Sequence, residues 1–126
     1  MRSVEPIRDL ATLERVKNEL LKQSYRDYVM FATGLNTGLR ISDILTLKVA
    51  DVRNKTHITL REGKTSKRKR FSINPTLRAI LDPYIEGMAD HEYLFQSRKG
   101  ENQPISRVQA YRVLKQVGDK LGIEDF

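Results

Sequence analysis

Thr37-Gly38-Leu39-Arg40-Ile41-Ser42-Asp43 is a turn followed by a helix start, with one arginine held between them. Gly34 and Gly38 bracket Leu35, Asn36 and Thr37, and a glycine accepts the positive φ that closes one helix and redirects the chain into the next. Ser42 is the expected N-cap of a short helix carrying Ile44, Leu45 and Leu47, and Asp43 in its first turn suits the positive end of the helix dipole. An arginine in such a place is either a surface residue beside a cap or an anion clamp. As a clamp it should be partly buried and hydrogen-bonded to a carboxylate, with Asp43, three residues on, as the first partner.

The second feature lies about twenty residues downstream, in Gly63-Lys64-Thr65-Ser66-Lys67-Arg68-Lys69-Arg70. Residues 61–70 hold six basic side chains against Glu62 alone, so most of the net charge of +7 is gathered into one short stretch. A run of this kind is a solvated face or a phosphate-contacting element, and the concentration of charge favours the second. Thr56-His57-Ile58-Thr59-Leu60 and Arg70-Phe71-Ser72-Ile73 alternate on either side of Gly63. The region therefore reads as an antiparallel hairpin with the basic run at its projecting tip, mobile when no polyanion is bound.

Working outward, Leu10, Leu13, Val16, Leu20 and Leu21 recur at helical spacing, and Ser24 opens a second helix dense in apolar residues, the expected core helix. Asn74 and Pro75 form an N-cap and first-turn pair for a helix bearing Leu77, Ile80, Leu81, Tyr84, Ile85 and Met88, which Pro83 should kink or divide. Tyr93-Leu94-Phe95 is short enough to be a third strand. Ser106 and Gln109 make a capping-box pattern for a last helix with Val108, Tyr111, Val113, Leu114, Val117 and Leu121, stopped by Gly122. The fold class is α+β, mainly helical, with helices around a two- to three-stranded antiparallel sheet.

With 126 residues, the chain is one domain's worth. It has no apolar run of membrane-spanning length and an N-terminus without a signal peptide's apolar stretch, so a cytoplasmic, non-membrane protein is expected. The absence of cysteine excludes disulfides and thiolate metal sites, and His57 and His91 are the only histidines. No metal or cofactor is expected. No Gly-rich nucleotide loop, paired-carboxylate site or Ser-His-Asp set can be assembled. What remains is an arginine in a rigid turn and a lysine on a hairpin, groups that can converge on one phosphate as a bidentate clamp and a point charge.

Thr-Gly-Leu-Arg-Ile-Ser-Asp-Ile-Leu-Thr-Leu (37–47), Gly-Lys-Thr-Ser-Lys (63–67) leading into Arg70-Phe71-Ser72-Ile73, and Tyr93-Leu94-Phe95 before Pro104-Ile105-Ser106 together resemble the first part of the catalytic domain of tyrosine recombinases, the phage-integrase family. The likeness covers nearly the whole chain. It implies that Arg40 and Lys64 belong to an active site and that Asp43 supports the arginine; the polyanion expected to meet the basic run Lys67, Arg68, Lys69 and Arg70 would then be DNA. It further implies DNA integration or site-specific recombination on double-stranded DNA, with self-association as in recombinase synapses. Strand cleavage would proceed by tyrosine attack to a 3′-phosphotyrosine, without metal or cofactor. The family's His-x-x-Arg helix and tyrosine nucleophile have no counterpart in residues 1–126, which would make this chain a partial catalytic domain, inactive alone. The five tyrosines read as structural. A stand-alone DNA-binding or regulatory module, and a basic protein- or RNA-binding domain, are the other classes compatible with these residues.

Overall fold

The polypeptide is described here by a computed structural model covering residues 10–62 and 67–122, with residues 61, 62 and 67 described by their backbone alone. Helix α1 (Leu10–Gln23) buries Val16 and Leu20 against α2 (Tyr25–Thr37). Leu10 and Leu21, expected on the same stripe, lie outside it at 78% and 39% exposure. Ser24 caps α2 as its sequence foretells: its hydroxyl accepts the Asp27 N–H. Because α2 buries Tyr28, Val29, Met30, Ala32 and Thr33, it is wrapped on several sides, by α1, α3 (Ile41–Ile44) and α4 (Pro75–Ile85).

A single 3₁₀ turn (Val49–Asp51) leads from α3 into the hairpin of β1 (His57–Glu62) and β2 (Lys67–Ser72), which pair antiparallel from His57↔Ser72 to Glu62↔Lys67. Two strands are all that form among the described residues. The run Tyr93-Leu94-Phe95, expected as a third strand, instead makes the isolated bridge Lys48↔Tyr93, with another, Gln96↔Pro104, beside it. Leu94 donates its N–H to the Leu47 carbonyl and Phe95 accepts from Ile105, so the segment is clamped from both sides while Leu94 and Phe95 fill the core. Full burial of each such side chain contributes roughly 1.5–3 kcal/mol.

Asn74 caps α4, its Oδ1 accepting the Leu77 N–H at 2.8 Å, and Pro75 follows in the first turn. Pro83 does not divide the helix, which runs on to Ile85. Pro83 lies in the final turn, so its missing N–H frees only the carbonyl of Ala79, which is exposed and open to water. Helix α5 (Arg107–Leu121) begins at Ser106, whose hydroxyl accepts the Gln109 N–H, and ends at Gly122 with φ 73°. It packs through Ala110, Val113 and Val117; Val108 and Tyr111, expected on its apolar face, are 66% and 55% exposed.

One buried charge organises the start of α2. Asp27 is 2% exposed, and its carboxylate accepts from Arg26 Nε and Nη2 at 3.0 and 2.9 Å and from Gln23 Nε2 at 3.2 Å. Arg26 also donates to the Gln96 carbonyl at 2.9 Å, fastening α2 to the loop after Phe95. With every partner in place the pair satisfies the demand that a buried charge be hydrogen-bonded.

Candidate nucleic-acid interface

The last turn of α2 builds the bend. Thr37 Oγ1 donates to the Thr33 carbonyl and accepts the Leu39 N–H, and Gly38 N–H closes onto the Gly34 carbonyl at 2.9 Å. Gly38 has φ 76°, the left-handed value that bars a β-carbon on torsional grounds, although the space around it is open. Leu39 then enters the core at 7% exposure, and Arg40 follows at the N-cap of α3 with extended backbone, φ −70° and ψ 149°. Its carbonyl accepts the Asp43 and Ile44 N–H groups, each at 3.0 Å.

Two expectations change here. The N-cap is Arg40 rather than Ser42, which lies inside α3 and is exposed. Nor is Arg40 partly buried against a carboxylate: it is exposed, and its guanidinium has no partner among the described residues. The reason is geometric. Residues three apart share a face only when both are helical, and the extended backbone of Arg40 takes its side chain off the face of half-buried Asp43. None of the five N–H donors of Arg40 is taken up by a described residue, which leaves them for an external acceptor.

Lys64 lies outside the described residues, as does the hairpin tip, so its approach to Arg40 and the mobility of the tip do too. The basic residues after it fall in strand β2, not in the turn. Lys67 opens the strand, and Arg68, Lys69 and Arg70 are exposed along it. Strand alternation divides them: Arg70 opposes Thr59, while Lys69 opposes Leu60 in the row that continues to Phe71 and fully buried Ile58. Arg70 Nη2 lies 3.3 Å from His57 Nδ1, which also sits 2.9 Å from Thr56 Oγ1. Since Arg70 can only donate, this contact is a hydrogen bond when His57 Nδ1 is the unprotonated ring nitrogen. Among the described residues no group of three histidines or carboxylates gathers as a metal site, and no helix is long and apolar enough to cross a membrane.

One charged surface escaped the sequence reading. The outer side of α5 presents Arg107, Tyr111 and Lys115 at four-residue spacing with Arg112 beside them, all exposed. A helical wheel would have grouped them, but the apolar character of Val108 and Tyr111 drew that side toward the core instead.

The sequence profile described as the phage integrase family matches residues 9–126. The probable integrase/recombinase YoeC of Bacillus subtilis is 43% identical over 125 residues, which cover 99% of this chain and 68% of that protein. The tyrosine recombinase XerA of Pyrococcus furiosus is 32% identical over 106 residues, 82% of this chain and 37% of that one. In three dimensions the crystal structure of XerA recombinase superposes with a TM-score of 0.76 at 23% identity, covering 98% of this chain and 45% of the other. A lambda integrase tetramer bound to a Holliday junction superposes with a TM-score of 0.73 at 12% identity, over 98% and 38%. The chain spans less than half of each of these two structures.

Proposed function

The chain belongs to the phage integrase family, and from that premise we propose that residues 1–126 form the first part of a tyrosine-recombinase catalytic domain acting on double-stranded DNA in integration or site-specific recombination. Arg40 contacts the non-bridging oxygens of the scissile phosphate, and Lys64 supplies the second cation. Asp43 supports the turn that presents Arg40. Residues 67–70 contact neighbouring phosphates from the hairpin.

The chemistry fits these groups. A tyrosine hydroxyl attacks phosphorus, a 3′-phosphotyrosine bond forms, and the bond to the 5′ oxygen breaks; that oxygen leaves as a hydroxyl once protonated. Negative charge builds on the non-bridging oxygens, where Arg40 lowers the barrier, and Lys64 delivers the proton. The nucleophile comes from outside these residues. Assembly into multimers on DNA belongs to the same reading, supported by the dimeric and tetrameric DNA complexes among the structural neighbours.

The observation that carries the proposal is the exposed guanidinium of Arg40, without a partner among the described residues, on a bend closed by Gly38. The test is a fluorescence-anisotropy titration of a short duplex with the chain and with R40A. A loss of about tenfold is expected from removing a charged phosphate contact; unchanged affinity refutes the role of Arg40.

A further inference from the structure

Glycine is a poor residue within a helix, yet Gly34 lies in the last turn of α2, three residues from its end. Its φ is ordinary, so backbone conformation does not require it. Space does. A methyl group on Gly34 would lie 3.3 Å from Ile44 Cδ1, and Ile44 is 2% exposed with little room to give.

Gly34 touches both ends of the segment that holds Arg40. Its carbonyl accepts the Gly38 N–H that closes α2, and its bare α-carbon receives the side chain of Ile44 from α3. Ile44 N–H in turn donates to the Arg40 carbonyl at 3.0 Å. If the backbone of Ile44 moves with its side chain, the movement reaches Arg40 through one hydrogen bond. We infer that Gly34 is a positioning residue: the absence of its β-carbon seats α3 against α2 and thereby sets where the Arg40 guanidinium meets a DNA phosphate. This rests on the reading of Arg40 as a phosphate contact.

The substitution Ile44→Val removes Cδ1, the atom a methyl at position 34 would meet, and so supplies the rescue. The chain and its variants G34A, I44V, G34A/I44V, R40A and G34A/R40A are titrated against a short duplex, and exchange of the Asp43, Ile44 and Leu45 amides is followed by NMR without DNA. G34A should bind about three- to tenfold more weakly, since a misplaced charged contact loses most of its worth. I44V should restore G34A to within about twofold of the parent, and G34A should cost nothing further in the R40A background. The three amides should exchange faster in G34A and return to parental rates in G34A/I44V. Parental exchange in G34A, failure of I44V to rescue, or an equal loss with and without Arg40 overturns the inference. If R40A alone binds like the parent, the phosphate reading has failed, and the exchange rates still decide whether Gly34 seats α3.

Discussion

Asn74 Nδ2 donates to Asn36 Oδ1 at 3.1 Å, tying the last turn of α2 to the start of α4. Asn74 stands two residues beyond β2 and Asn36 four before Arg40, so this bond couples the base of the hairpin to the Arg40 bend. Both side chains are spoken for on their other ends: Asn74 Oδ1 caps Leu77, and Asn36 Nδ2 donates to the Ala32 carbonyl. Two functions of Asn74 can be separated by substitution. N74A should destabilise the fold by about 1–2 kcal/mol, from a lost cap and a lost tie. N74D keeps the cap and loses only the donor to Asn36, so urea denaturation should show a cost below about 1 kcal/mol. Equal costs for the two variants would mean that the tie, not the cap, dominates.

DNA binding should be steeply salt-dependent, because the exposed cations of β2 offer phosphate contacts and little to read base edges. With about three to five phosphates neutralised, log K should fall against log salt with a slope of roughly −3 to −4.5. Replacing Lys67, Arg68 and Lys69 by alanine should flatten it. An unchanged slope and affinity would move the partner from DNA to protein.

The parts of the fold that were legible in the sequence are those fixed by neighbours in the chain. Ser24, Asn74, Ser106 and Gly122 mark helix ends because a cap is settled within three or four residues. What was not legible depends on distant partners. Whether residues 93–95 pair as a strand is decided by Leu47 and Ile105, which clamp them singly. The inner side of α5 is chosen by small residues, Ala110 and Gly118 with Val113 and Val117, which allow close packing and turn Val108 and Tyr111 outward. Asp27 could not be seen as a buried ion, since Gln96, its arginine's other partner, is about seventy residues away. At the site, the Gly38 bend that leads into Arg40 was legible in the motif. The exposure of Arg40 was not, because a clamping arginine was expected to be held by Asp43, and the extended N-cap backbone that separates the two depends on where α3 begins.

Acid should loosen the join between α1 and α5. Glu19 is held below the usual glutamate range, first by a hydrogen bond from Lys120 and then by the charges of Lys120 and Lys22. Glu92 is likewise lowered, by the Ala89 N–H and then Gln96. A carboxyl whose pKa is depressed in the folded state adds stability that is fully present above its unfolded pKa and lost as pH falls through the folded one. Melting temperature should therefore drop between roughly pH 5 and pH 3. E19Q and E92Q should each reduce that dependence; a double variant with the parental pH profile would show that other carboxylates carry it.

The last expectation concerns covalent chemistry. Tyr84 is an unsuitable nucleophile: burial pushes its pKa up to about 12, and its hydroxyl is committed to the Leu94 carbonyl at 2.6 Å. Tyr28 is buried, and the half-buried ring of Tyr93 lies under Lys48. Tyr25 and Tyr111 are the exposed ones, contrary to the apolar role expected for Tyr111, yet neither hydroxyl has a hydrogen-bonding base among the described residues to take its proton. In the proposed mechanism Arg40 and Lys64 stabilise charge and protonate a leaving oxygen, each worth about 10² to 10³ in rate, but they cannot form the bond to phosphorus. These 126 residues alone should therefore bind a nicked suicide substrate without forming an adduct that survives a denaturing gel. If an adduct does appear, Y111F and Y25F identify its source, and whichever variant abolishes it shows that a surface tyrosine of this chain is activated by DNA itself.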